Sequence, residues 1–113
     1  MSSLVVLVLY NLGHFEEVLA AWHDAGATSV TTFDALGTRT VHEQARREDL
    51  PILPSIRDLL QSDDAPRRVV FTVVADELVD ALIAAAERVL GDLGEAGNGI
   101  VLVLPVARAA GLG

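Results

Sequence analysis

The chain has 113 residues, 51% of them apolar, and a formal net charge of −8 at pH 7. Its 16 acidic residues outnumber eight basic ones, all arginine, so its surface should repel nucleic acid and anionic membranes. The absence of cysteine excludes a disulfide scaffold, a thiolate metal site and a cysteine nucleophile. The first residues lack the basic region and cleavage site of a secretory signal, so we expect none, and no apolar run approaches the roughly 20 residues of a membrane-spanning helix. We expect one cytoplasmic domain, residues 1–113, that neither binds nucleic acid nor inserts into a membrane.

Six predicted elements follow in chain order. Short segments rich in Val, Leu and Ile predict β-strands at residues 4–10, 28–36, 68–74 and 100–106. Apolar residues at helical spacing predict helices at residues 13–25 and 77–93. Asn11 and Asp76 are the expected N-caps of these helices, and Gly26 is expected to end the first one. The order predicts an α+β fold, a ferredoxin-like βαββαβ sandwich with a long loop, residues 37–66, between strands 2 and 3.

The predicted strands are apolar on both faces. Two helices cover one face of a ferredoxin-like sheet, so the other face of a monomer should carry polar residues at alternate positions. Residues 4–9 and 100–104 contain no polar residue, and residues 69–74 contain only Thr72. Exposed apolar area of this extent marks an interface. We therefore expect the chain to self-associate; the alternative is that the long loop folds back over the second face.

A glycine-rich turn precedes the last strand. It contains Gly97, Asn98 and Gly99, and its backbone N–H groups lie where a positive φ costs little. Such a turn can hold an anion such as phosphate. Asn-Gly is also common in plain turns, and spacing alone favours that second interpretation.

Arginine residues flank the long loop. Arg39 lies where the loop leaves strand 2, and Arg67 and Arg68 lie where it reaches strand 3. Strands 2 and 3 are neighbours in this topology, so these side chains can converge on an anion. Equally, they can be solvated ends that form ion pairs with Asp63, Asp64 or Glu48. The residues themselves leave both interpretations open.

The sequence offers little for metal binding or catalysis. The three histidines, His14, His23 and His42, do not have the spacing of a metal site within one chain, although a site shared between subunits stays open. No serine has an identifiable histidine partner, and no phosphate-binding or dinucleotide motif is present. We expect a binding protein rather than an enzyme.

Three stretches of the chain, residues 4–26, 73–80 and 97–108, together resemble the PII signal-transduction superfamily. Residues 4–26 are similar in spacing to the first strand and helix of that family. Residues 73–80, Val-Val-Ala-Asp-Glu-Leu-Val-Asp, resemble its strand–turn–helix at the same place in the topology. Residues 97–108, Gly-Asn-Gly-Ile-Val-Leu-Val-Leu-Pro-Val-Ala-Arg, resemble its turn and last strand, which end in Val-Ala-Arg. The middle of the chain does not match.

This resemblance implies a regulatory homotrimer whose sheets face inward. It also implies that residues 37–66 form the loop that contacts a target protein. A nucleotide, ATP, ADP or AMP, would bind in clefts between subunits, near the base of the loop and the Gly-Asn-Gly turn. The residues that the resemblance assigns to the ligand are Gly37, Arg67, Gly97, Asn98 and Gly99, with Arg39 and Arg108 as further candidates.

The chain departs from the PII pattern mainly by losing cations. Ile100 replaces a lysine, and Gly111 and Gly113 replace two arginines after the last strand. Arg39 replaces the second glycine at the start of the loop, and residues 50–61 replace its usual tyrosine-bearing part. Fewer cations favour AMP or ADP over ATP as the ligand. The alternatives are a ligand-free trimeric interaction module that presents residues 50–60, and a metal-linked trimer similar to the divalent-ion tolerance proteins.

Overall fold

Residues 1–37 and 65–112 are described here from a computed structural model of the chain. The strands are β1 (Ser2–Leu9), β2 (Thr31–Gly37), β3 (Ala65–Ala75) and β4 (Ile100–Val106), and the helices are α1 (Phe15–Ala25) and α2 (Val79–Leu90). The strands pair in antiparallel fashion in the order β2-β3-β1-β4. The predicted α+β ferredoxin-like βαββαβ sandwich is confirmed. The part of the long loop between residues 38 and 64 lies outside the described residues.

Local contacts shift the element boundaries from those predicted. The Asn11 side chain accepts a hydrogen bond from the Gly13 N–H at 2.9 Å, so the predicted cap is confirmed, but it caps a 3₁₀ turn that precedes α1. Gly26, at φ +117°, ends α1 as predicted. The prediction of Asp76 as N-cap was wrong: its carboxylate accepts a hydrogen bond from the Ser3 hydroxyl at 2.7 Å, and it begins another 3₁₀ turn.

Other predicted boundaries also differ from those of the structure. The second helix begins at Val79 and ends at Leu90, because Gly91 with φ +91° cannot continue it. β2 begins at Thr31, three residues later than predicted. The sheet extends further into the predicted loop than the sequence indicated, since Gly37 pairs with Ala65 at the ends of β2 and β3.

Both helices pack on one face of the sheet. The alternate residues Val5, Leu7 and Leu9 of β1 are fully buried beneath them. The Trp22 indole N–H donates a hydrogen bond to the Leu82 carbonyl oxygen at 3.1 Å, which joins α1 to α2 inside the core. No helix in the described part of the chain is long and apolar enough to cross a membrane.

The other face of the sheet, here called the open face, carries almost only apolar side chains. Directly paired residues of antiparallel strands lie on the same face of a sheet, so the strand register identifies the residues of the open face. Arg67 is the only charged residue among the described positions of this face. Its polar uncharged members are Ser2 and Thr31, and its apolar members are Leu4, Val6, Val8, Phe33, Ala35, Ala65, Val69, Phe71, Val73, Ala75, Ile100, Leu102, Leu104 and Val106.

Several open-face side chains remain half exposed. The exposed fraction is 52% for Phe33, 51% for Leu102, 44% for Leu104 and 42% for Ile100. Full burial of such a side chain is worth roughly 1.5–3 kcal/mol, so covering these four would gain several kcal/mol before the cost of association. A second copy of the chain or residues 38–64 can supply the cover, and self-association stays a prediction.

Candidate ligand-binding site

All four strands have an end at the same edge of the sheet, here called the loop end. Gly37 and Ala65 are paired there, so residues 38–64 leave and rejoin the sheet at this place. Ile100 begins β4 opposite Val8. Tyr10, the residue after β1, lies at the same end because β1 runs toward it. Three of the sequence-predicted site regions therefore meet: the loop base, the start of β3 and the turn before β4.

A groove of about 380 Å³ lies at the loop end, on the open face. Its lining is apolar except for the Arg67 guanidinium and the Tyr10 phenol. The lining residues are Val8, Tyr10, Ala35, Leu36, Gly37, Arg67, Val69 and Ile100. A ligand in this groove would contact two predicted residues, Gly37 and Arg67.

Arg67 is held in the groove from two sides. Its guanidinium carbon lies 4.3 Å from the centre of the Tyr10 ring, a cation–π contact. On another side, a Cβ atom added to Gly37 would lie 3.3 Å from the Arg67 Nε atom. Arg67 donates one hydrogen bond, from Nη1 to the Pro66 carbonyl oxygen at 3.3 Å. Its other N–H groups have no acceptor among residues 1–37 and 65–112.

Arg68 lies on the opposite face of β3. Its guanidinium carbon lies 4.5 Å from the centre of the Phe15 ring, and its Nε donates to Asp34 Oδ1 at 2.9 Å. The sequence left open whether this arginine binds an anion or forms an ion pair, and the structure favours the ion pair. Its partner Asp34, on the neighbouring strand, was not among the predicted partners, which lie in residues 38–64.

Both glycines of the Gly-Asn-Gly turn have the positive φ angle that the sequence predicts. Gly97 has φ +91° and Gly99 has φ +133°. The Asn98 side chain donates to the Asp92 carbonyl oxygen at 2.8 Å, which fixes the turn. The backbone N–H groups of Gly97 and Gly99 donate none of the turn and loop hydrogen bonds found within the described ranges. A Cβ atom at Gly99 would lie 3.0 Å from the Val8 carbonyl oxygen, so the turn packs closely against β1.

Solved structures with a similar fold include PII and GlnK proteins. The structure of Arabidopsis thaliana PII bound to citrate matches with a TM-score of 0.62 and 19% identity over 93% of this chain and 74% of that chain. The B. subtilis GlnK–ATP complex gives 0.64 and 22% over 94% and 82%. A further structure of B. subtilis GlnK gives 0.62 and 21% over 94% and 85%. No family model and no curated protein matches the chain.

The chain has the PII fold. This finding confirms, at the level of the fold, the resemblance seen in residues 4–26, 73–80 and 97–108. Within the PII fold of this chain, Gly37, Arg67 and the Gly-Asn-Gly turn share the loop end of the sheet. Their assignment to a ligand stays a prediction.

Two other candidates are not part of this cluster. Arg108 follows the end of β4, where Val106 pairs with Ser2, and β4 begins at the loop end with Ile100. The seven residues of β4 separate those ends by six steps, or about 20 Å, so within one PII-fold chain Arg108 lies far from Arg67. Arg39 lies outside the described residues.

The histidines do not form a metal cluster in the described ranges. His14 Nδ1 lies 3.8 Å from Glu17 Oε1, and His23 is exposed on α1. Residues 1–37 and 65–112 contain no group of three potential metal ligands. His42 is outside those ranges, and a site shared between subunits stays a hypothesis.

Sequence reasoning missed Tyr10. It was treated only as the last residue of a strand, whereas its ring forms one wall of the groove around Arg67. The available signal was positional: Tyr10 follows an apolar strand at the edge where the loop base was expected. Using that signal requires the register of β1 against β3, which pairs Leu9 with Arg68.

Proposed function

We propose that this chain is a PII-like regulatory protein rather than an enzyme. Three copies assemble through their open faces and bind a small anionic ligand, with an adenine nucleotide as the candidate. The ligand lies in a cleft between copies, at the loop end of each sheet. Residues 37–66 then transmit the state of that cleft to a partner protein in the cytoplasm.

The observation that carries this proposal is an apolar open face with the candidate binding residues at its rim. The register places one charged side chain, Arg67, on that face, and places it at the loop end. A face of this composition is stable in water when another surface covers it. Covering it with copies of the same chain would put the rim, and the ligand, at the boundary between copies.

The number of copies is inferred from the resemblance to PII proteins. Strand pattern indicates that the open face needs a cover and does not give a copy number. In a closed ring of three, each interface joins one part of an open face to a different part of the next copy's open face, and every copy has the same surroundings, so all three open faces are covered equally. Native mass spectrometry at low micromolar concentration tests this directly.

The ligand is inferred from the groups at the loop end. Backbone N–H groups of the Gly-Asn-Gly turn and the Arg67 guanidinium are both anion-binding groups. Among the similar structures, one is a GlnK–ATP complex and another is PII bound to citrate. Those ligands support a small anion here, and the adenine nucleotide is the more specific of the two candidates.

The charges favour a short phosphate chain. Arg67 is the only described cation on the open face, since Arg68 lies on the other face with Asp34. Ile100, in the groove lining, adds no charge. Each charge-assisted hydrogen bond contributes about 1.5–3 kcal/mol, so phosphates that have no cationic partner gain little. We expect AMP and ADP to bind at least as tightly as ATP.

Calorimetric titration of AMP, ADP and ATP into the native assembly tests the ligand. Arg67→Gln should weaken nucleotide binding by about 10- to 100-fold, the equivalent of one charge-assisted hydrogen bond. Arg68→Gln is the matched control, since it removes the neighbouring guanidinium on the opposite face and should leave the affinity unchanged. No heat with any nucleotide, from a confirmed trimer, would remove the nucleotide from the proposal. A monomer under the same conditions would remove the cleft itself.

A further inference from the structure

The groove at the loop end combines a guanidinium, which can bind any small anion, with apolar walls, which a phosphate would not use. A guanidinium has five N–H donors in one plane, and that geometry matches the two oxygens of a carboxylate. One of the Arg67 donors bonds to the Pro66 carbonyl oxygen. The other four have no acceptor in the part of the chain that is described. The plane of donors is held in place by the Tyr10 ring and by the close approach of Gly37.

The rest of the groove suits an apolar body. Its walls beside Arg67 on the open face are the side chains of Val8, Val69 and Ile100. Ile100 is 42% exposed, so this wall has area left to bury. The groove volume of about 380 Å³ is within the usual range for small-molecule sites. A single fixed cation at the end of an apolar groove selects a ligand with one anionic group and an apolar remainder.

We propose that this groove binds a monocarboxylate with an apolar body, such as a short fatty acid or an aromatic acid. The carboxylate takes two parallel hydrogen bonds from Arg67, and the body lies along Val8, Val69 and Ile100 toward the open face. The site uses Tyr10, which holds the arginine, and Ile100, which supplies an apolar wall.

This inference rests on the proposed function for its regulatory meaning. The body of the ligand lies at the edge of the surface that a second copy would cover, so the bound acid would be enclosed between copies. Occupancy would therefore stabilise the assembly. Since Arg67 is the only described cation of the open face, the acid and a nucleotide phosphate would compete for it.

A chain-length series tests the apolar part of the site. Acetate, butyrate, hexanoate and octanoate are titrated into the native protein without nucleotide, and benzoate represents the aromatic acids. Affinity should rise about three- to four-fold for each added methylene until the groove is filled. Hexanamide and benzamide keep the body and lose the charge, and should bind at least ten-fold more weakly than the acids. Equal affinity across the series, or amides that bind as well as acids, would overturn the proposal.

Variants test the arginine. Arg67→Gln should weaken hexanoate binding by about 10- to 100-fold, and Arg67→Lys, which keeps the charge but loses the planar fork, should restore only part of it. Arg68→Gln should bind like the parent. Tyr10 is the only tyrosine, so its ring NMR signals report the groove without ambiguity and should shift with hexanoate but not with hexanamide. Tyr10 signals that ignore hexanoate would contradict the site even if binding occurred elsewhere.

The acid-binding proposal and the proposed function can fail independently of each other, and the experiments distinguish the two failures. Arg67-dependent binding of acids to a monomer would support the groove and reject the trimer. A confirmed trimer that binds nucleotide but no acid would reject the groove and keep the regulatory proposal. Acid and ADP that bind together without mutual effect would show that they do not share Arg67, which also contradicts this inference.

Discussion

Leu102 and Val103 are neighbours on β4 that point to opposite faces of the sheet. Leu102 pairs with Val6 on the open face and is 51% exposed; Val103 pairs with Val5 on the helix face and is 43% exposed. Because the two positions have similar exposure, a charge placed at either should cost the isolated chain a similar, small amount. Leu102→Glu and Val103→Glu therefore form a matched pair that differs only in the face.

Leu102→Glu should weaken assembly strongly, whereas Val103→Glu should leave it unchanged. Replacing Leu102 forfeits the burial of its exposed half, about 0.7–1.5 kcal/mol per copy. Leaving an unpaired carboxylate inside an apolar interface costs several kcal/mol more per copy. Since each 1.4 kcal/mol is a factor of ten, association should weaken by roughly 100-fold or more. The same substitution at Val103 adds a carboxylate on the side away from the interface.

Sedimentation velocity at low micromolar concentration, with circular dichroism to confirm folding, measures the outcome. We expect folded monomers for Leu102→Glu and the parent assembly for Val103→Glu. Two variants with the same sedimentation coefficient would refute the reasoning, because the open face would then not be the interface. A monomeric parent would refute it as well, and would point to residues 38–64 as the cover of the open face.

The remaining predictions concern stability. Gly99→Ala should lower the free energy of unfolding by about 1–3 kcal/mol in urea titration, because φ is +133° and the new Cβ would lie 3.0 Å from the Val8 carbonyl oxygen. Gly97→Ala is its control: φ is +91° but no atom lies within 4 Å, so a smaller loss is expected, and equal losses would contradict the close-packing argument. Trp22→Phe should cost about 1–3 kcal/mol, since the Leu82 carbonyl oxygen loses its buried donor; an unchanged urea midpoint would show that this hydrogen bond adds nothing to stability.

The fold was predictable because its signals are local. Strand composition, helical spacing and the glycines that end helices lie within a few residues of the elements they define. The Asn11 cap acts over two residues and was predicted correctly. The prediction for Asp76 failed because its partner is Ser3, 73 positions away in sequence, which competes with the local helix end for the carboxylate.

The site was predictable only in part, for the same reason. Gly37 and Arg67 flank the loop, so a two-strand arrangement was enough to bring them together. Arg68 was considered with acidic residues near it in sequence, whereas its partner Asp34 lies across the β2–β3 ladder. The stacking of Arg67 on Tyr10 depends on the pairing of β1 with β3, which composition and spacing do not specify.

Strands that are apolar on both sides have little protection against slippage, because a shift by one residue exchanges one apolar set for another. In β3 this hazard is countered by Thr72, whose buried hydroxyl donates to the Ser29 carbonyl oxygen at 2.6 Å. A one-residue slip would move the Thr72 hydroxyl to the open face and away from its acceptor, the Ser29 carbonyl oxygen. It would also exchange the positions of Arg67 and Arg68 and separate each from its aromatic ring. A few polar contacts thus select one alignment from several that the apolar residues alone would tolerate.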